Sequence, residues 1–251
     1  MIGSNKILKE INDYNLVKLN LDDNYNFEKS DNAYLIKKGS ILSFGDNNFT
    51  QLMGEHDPVG FSEVILARKK LLKYKLLTDI ELFSFSGIRI RKEVNNCDVV
   101  MKSIIKYSLA RIFGNSKSKG HYLLEDEFIT KYQNFFRKFQ YVKGDQIFVC
   151  DQKPRGMYFI EKGIVSLFTK NNKFITKLGE GETFGESALI SGKLRNNTAI
   201  AERDTLLVEI NSEILDKRIA KETPLVKLTL LSILRRLELM NKLRMPSDFN
   251  C

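Results

Sequence analysis

Gly179-Glu-Gly-Glu-Thr-Phe-Gly-Glu-Ser-Ala-Leu-Ile-Ser-Gly-Lys-Leu-Arg-Asn-Asn-Thr-Ala-Ile-Ala201 decides how this chain is read. Phe184-Gly185-Glu186 opens the central part, and Arg195 follows Glu186 by nine residues. These residue types suit a ligand with one anionic phosphodiester and one free hydroxyl. A guanidinium fork matches two phosphate oxygens. A carboxylate accepts a ribose hydroxyl, as it does in dinucleotide folds. Gly185 removes a side chain where backbone must approach a ligand closely. Ser187 to Ile190 is long enough for one helical turn, whose free N–H groups would point at the phosphate. The plainer alternative is a glycine turn between two strands with a surface arginine.

Outward from this stretch the chain is rich in short strands. Met157 to Phe168 reads as strand, turn at Gly163, strand. Lys170-Asn-Asn-Lys173 is a hairpin turn before a strand from Phe174 to Leu178, and Thr205 to Ile210 is another strand. Lys143 to Val149 is a turn followed by a strand. Residues 123–139 carry Leu124, Phe128, Tyr132 and Phe136 at helical spacing and predict a helix. Two helices end the chain. The last begins at Thr223-Pro224, a capping residue followed by proline at the first helical position, and Pro246 stops it. Along it, Val226, Leu230, Ile233, Leu237 and Met240 step by four and three, an a/d seam of about two heptads. That seam predicts a homodimer; the alternative is a helix that covers its own barrel.

The first half repeats the pattern. Tyr34-x-Ile-x-Lys-Gly39 matches Tyr158-x-Ile-x-Lys-Gly163, and the turn with Glu63 matches the turn with Glu186. Residues 34–44 read as strand, turn, strand, Phe49 to Met53 as a short strand, and 73–85 as two strands around Asp79. Residues 4–12 suit a short helix and 13–33 a loop or short edge strands. A helical period covers 98–113, and Gly114 to Gly120 looks like a linker. The expected domains are 1–115 and 116–251.

Residues 135–245 resemble a cyclic-nucleotide-binding domain of the catabolite-activator and protein-kinase-A regulatory superfamily. The resemblance rests on Gly144, Ile147-Phe148, Tyr158/Ile160/Gly163, Gly181/Phe184/Gly185/Glu186 and Arg195. Residues 12–113 resemble a second, eroded copy. The resemblance implies a mainly β fold with flanking helices: two double-stranded β-helix, jelly-roll-like barrels. It implies a ligand, cAMP or cGMP, at Phe184, Gly185, Glu186, Ser187, Ala188, Arg195, Asn196, Asn197 and Thr198, with no cofactor and no catalytic residue. It further implies that the C-terminal helix closes over the base.

The chain departs from the family where Pro-Arg-Ala-Ala/Thr-Thr is usual and Leu194-Arg195-Asn196-Asn197-Thr198 stands. Asp151 also replaces a customary glycine. In the first copy, Phe61-Ser62-Glu63 keeps the carboxylate, but the arginine position, counted nine residues on, is Leu72, with Lys70, Lys73 and Lys75 nearby. A lysine is not a bidentate fork. The first copy is therefore expected to be degenerate.

Composition narrows the remaining classes. The 251 residues carry a formal net charge of +9, with 43% hydrophobic and 28% charged residues and no Trp. The basic balance admits nucleic acid, acidic membrane or small anions as partners. The lysines are dispersed, and the seven residues after Arg244 are too few for the helix-turn-helix of DNA-binding relatives. Cys97, Cys150 and Cys251 form neither a disulfide framework nor a zinc motif. His56 and His121 are isolated, and no nucleotide-hydrolase or hydrolase motif occurs, so an enzyme is not expected. No apolar run is long enough to span a membrane, and a cytoplasmic location is expected. The expected function is a non-enzymatic cyclic-nucleotide sensor acting on an unknown protein effector. The alternatives are a cyclic-dinucleotide sensor, a ligand-free scaffold, or a basic nucleic-acid binder.

Overall fold

The computed structural model describes residues 4–44, 50–70, 72–113, 136–185 and 194–243. The described chain divides into two compact units. The first comprises residues 2–97 and 222–233, the second 98–221 and 234–251. Both are mainly β with flanking helices.

In the first unit, β1 (Asn15–Leu19), β7 (Ile80–Ser86), β2 (Asn32–Lys38) and β5 (Pro58–Val59) form one antiparallel sheet in that order. The order β4 (Thr50–Met53), β3 (Ile41–Phe44), β6 (Lys73–Leu76) forms a second. Helices α1 (Ser4–Glu10), α2 (Phe61–Ile65) and α3 (Gly87–Asn96) flank them. The core holds Tyr34, Ile36, Ile41, Val59, Ile80 and Leu82.

The second unit repeats this strand order. One sheet runs β8 (Phe136–Tyr141), β15 (Thr205–Asn211), β10 (Gly156–Lys162), β13 (Thr183–Phe184). The other runs β9 (Gln146–Phe148), β14 (Thr198–Ala201), β11 (Val165–Phe168), β12 (Phe174–Leu178). Helices α4 (Val99–Ile112) and α5 (Ser212–Ile219) belong to this unit. Ile147, Phe148, Tyr158, Ile160, Val165, Leu178, Phe184 and Leu207 fill its core. Each such side chain contributes about 1.5–3 kcal/mol by leaving water.

Most elements fall where the pattern placed them. The two strands around Asp79 are β6 and β7, and the helical period at 98–113 is α4. The helix expected over 123–139 is corrected at its end. Residues 136–139 belong to β8, which pairs along its whole length with β15, from Phe136↔Ile210 to Tyr141↔Thr205. Pairing with a distant strand overrides the local period there; residues 123–135 lie outside the described residues, as do Gly114 to Gly120. Helix α3 was not anticipated.

The last helix, α6 (Pro224–Leu243), starts as the Thr-Pro signal requires. The Val226 N–H donates to Thr223 Oγ1 at 3.3 Å. Its seam is a different matter. Val226, Leu230, Ile233 and Leu237 are each at most 1% exposed in a single chain. The side chain of Met240, the last residue of the seam, lies outside the described residues, as does Pro246.

Candidate functional site

In the second unit, β13 is followed by Gly185, whose φ of 79° lies in the left-handed region. Ten residues later the chain returns at Arg195, fixed by two backbone bonds. Arg195 N–H donates to Gln152 O at 2.9 Å, and its carbonyl accepts Asp151 N–H at 2.8 Å. Asp151, at φ 65°, takes the turn conformation that a glycine would take more easily.

This double tie aims the Arg195 side chain inward, where it is 3% exposed. Nη1 donates to Gly185 O at 3.0 Å and Nη2 to Gly156 O at 2.7 Å. The guanidinium carbon lies 4.1 Å from the Phe148 ring centroid and 5.5 Å from that of Tyr158. Phe148, Tyr158 and Phe184 stack within 5.3–6.0 Å of one another. The cation thus rests on aromatic faces, an attraction that is stronger in a desolvated site. A Cβ at residue 185 would stand 2.6 Å from Nη1, so a larger residue there would displace the guanidinium.

Below the ring stack, the Tyr158 hydroxyl donates to Glu209 Oε1 at 3.3 Å, and Glu209 is itself buried. Burial, reinforced by the Glu209 charge, pushes the Tyr158 phenol up to about 12. At the outer end, Thr198 Oγ1 accepts Cys150 N–H at 3.1 Å, and Cys150 Sγ lies 3.5 Å from Asn196 O. The Asn196 side chain is exposed and that of Asn197 half-buried.

Of the nine expected ligand residues, the structure brings Gly185 and Arg195 into contact beside the Phe148–Tyr158–Phe184 ring stack, while Thr198 accepts Cys150 N–H and Asn196 is exposed. Glu186, Ser187 and Ala188 lie outside the described residues. Sequence reasoning missed Gly156 as an acceptor, Phe148 and Tyr158 as platforms for the guanidinium, and Glu209 as a buried carboxylate. Phe148 and Tyr158 stood in the quoted pattern, but nothing local links them to Arg195. Among the described residues, no group of three or more His, Cys, Asp or Glu side chains could hold a metal ion. No described helix is long and apolar enough to cross a membrane.

The first unit presents the same arrangement with other residues, and the strand register corrects the sequence alignment. Tyr34 pairs with Val59, as Tyr158 pairs with Phe184. Gly60, at φ 77°, therefore takes the place of Gly185. Phe61 then stands at the place of Glu186, Glu63 at that of Ala188, and Lys70, ten residues past its glycine, at that of Arg195. Register Phe44↔Lys73 against Phe168↔Thr198 gives the same equivalence. Leu72 is not the arginine counterpart, and Glu63 is not that of Glu186. Lys70 crosses beneath Gly60 as Arg195 does beneath Gly185. Its ammonium donates to Ser30 O at 2.5 Å and lies 5.8 Å from the Tyr34 ring centroid.

Comparison with known proteins places the second unit. Residues 138–222 match the family described as the cyclic nucleotide-binding domain. The matched residues run from β8 through α5 of the second unit. Among solved structures, the chain is similar to cAMP-bound PfPKA-R, at 16% identity, covering 93% of this chain and 82% of that one, with a TM-score of 0.39. It is similar to the regulatory subunit of a cAMP-independent protein kinase A from Trypanosoma brucei, at 14% identity, with 90% and 79% covered and a TM-score of 0.39. It is also similar to the Thermus thermophilus catabolite activator protein, at 28% identity, with 48% and 58% covered and a TM-score of 0.40.

Proposed function

We propose that the protein is a non-enzymatic sensor that binds a cyclic nucleotide, cAMP or cGMP, in its second unit. The observation that carries this reading is Arg195, a buried guanidinium fork seated against Gly185 within the matched family segment. A cyclic phosphate offers two anionic oxygens at the geometry that the fork prefers. It would take one or both terminal nitrogens from the carbonyls of Gly185 and Gly156. Glu186 would accept the ribose hydroxyl, and Ser187 and Ala188 would offer backbone N–H groups. Asn196, Asn197 and Thr198 would line the outer edge.

Because binding exchanges carbonyl bonds for phosphate bonds, the ligand interacts differently with two seats of one side chain. Differential affinity of that kind is what a switch requires. The output passes by contact with a protein effector. A homodimer through α6 is part of this reading. No cofactor is needed for this role.

Titration calorimetry with cAMP and cGMP tests the reading, with Arg195→Ala in parallel. Micromolar or tighter binding is expected, with a loss on the order of 30-fold or more in the variant, from about 2–5 kcal/mol for a buried charge left unpaired. Binding unchanged in Arg195→Ala would refute the assignment. No heat with either nucleotide, but heat with a cyclic dinucleotide, would favour the alternative raised by the Asn196-Asn197 departure. Silence with all of them would favour a ligand-free scaffold.

A further inference from the structure

We propose that the first unit carries its own anion: the Glu63 carboxylate occupies the role that the ligand phosphate has in the second unit, neutralises the buried Lys70 ammonium, and closes that site to nucleotide. The comparison with a ligand phosphate rests on the function proposed above; the ion pair does not.

Register places Gly60 at Gly185 and Lys70 at Arg195, and counting from the glycine sets Glu63 against Ala188 in the sequence. Both first-unit groups are withdrawn from water, Lys70 at 4% exposure and Glu63 at 0%. A buried ammonium is tolerated only when an opposite charge and hydrogen bonds replace its hydration. Two carboxylates stand near it. Asp31 is already held by a fork, since Arg91 Nη1 and Nη2 each donate to one of its oxygens at 2.8 Å. Glu63 lies in the first turn of α2, three residues past Gly60, the glycine against which Lys70 packs. Burial pushes the Lys70 ammonium below its usual range, and Glu63, ahead of Asp31, opposes that shift. Arg91 also donates to Val64 O at 2.8 Å, which ties α2 down beside the pair.

An incoming cyclic phosphate would meet this carboxylate. It would compete for a point charge rather than a fork, and like charges at close range in a dry site repel strongly. It would also find Phe61 where the sequence count sets Glu186, and a phenyl ring cannot accept a ribose hydroxyl. The two units thus divide the work. One keeps a cation for an external anion, and the other supplies both charges itself and is held in the closed arrangement.

A double-mutant cycle with Glu63→Gln and Lys70→Met, combined with cAMP titration of each variant, tests this. Each single change is expected to lower the urea midpoint, because each leaves one buried charge unpaired. The double variant is expected to recover most of the loss. Wild type and Lys70→Met are expected to bind the same number of nucleotides per chain, with affinities within about 2-fold. Additive losses in the cycle would overturn the ion pair. A second nucleotide equivalent that disappears in Lys70→Met would overturn the closed site. If Lys70→Met does not fold, Glu63→Gln decides by itself: an unchanged midpoint overturns the pair, and a lowered one supports it. If no variant binds nucleotide, the sensor reading of the second unit fails while the cycle still decides the ion pair.

Discussion

Replacing Arg195 with alanine should weaken the ligand-free protein as well as its binding, and the amount follows from the seat of the side chain. Two hydrogen bonds from a charged donor are lost, to Gly185 O at 3.0 Å and Gly156 O at 2.7 Å. Bonds of that kind contribute about 1.5–3 kcal/mol each. The guanidinium also loses its place 4.1 Å above Phe148, a contact of about 0.5–2 kcal/mol. Against this, the variant no longer buries a cation, which offsets several kcal/mol. The balance is a destabilisation of about 3 kcal/mol, because two carbonyls remain short of a donor. For a chain of this size that corresponds to a fall of about 6–12 °C in Tm. Urea unfolding followed by tyrosine fluorescence and circular dichroism measures it, as the chain has no Trp. Arg195→Lys keeps the charge but not the fork, and should fall between the two. Saturating cAMP should raise the wild-type stability by about 2.7 kcal/mol at one hundred times Kd, and leave Arg195→Ala unmoved. An Arg195→Ala protein as stable as wild type would show that the carbonyl bonds do not form, and the switch built on exchanging them would fall with it.

Gly185→Ala should cost about 1–2 kcal/mol for the left-handed backbone, and should lower nucleotide affinity further because its Cβ meets Nη1 at 2.6 Å; calorimetry on the folded variant reads both. Thr223→Ala removes the cap on the Val226 N–H and should cost about 0.5–2 kcal/mol in urea unfolding. The Arg91 fork holds the Asp31 carboxyl below its ordinary value of 3.8. A folded value below the unfolded one adds stability above pH 3.8, and that stability is lost as pH falls through the lowered value. Asp31 is half exposed, so the effect is modest. The midpoint difference between wild type and Asp31→Asn should narrow with acidification below about pH 4, and a constant difference would refute the pairing.

The sequence by itself determined what short-range chemistry can encode. Glycines at 163, 181 and 185 mark turns, period-two runs mark strands, and Thr223-Pro224 marks a helix start. Two copies of one pattern gave the repeated barrel. The type of residue at Arg195 was legible because phosphate recognition asks for a fork. What the tertiary structure decided is everything that depends on register between distant strands. A two-residue shift separates Glu63 at the place of Glu186 from Glu63 at that of Ala188, and no local signal distinguishes them. Only the pairing of Tyr34 with Val59 does so, and it moves the cationic position from Leu72 to Lys70. The partners of Arg195 were hidden for the same reason. Gly156 lies 39 residues away in the chain, and its carbonyl meets the fork only because β10 runs beside β13. The α6 seam shows the other side of this limit. Spacing reveals that a helix has an apolar face, and only the folded chain shows that Val226, Leu230, Ile233 and Leu237 on it are buried.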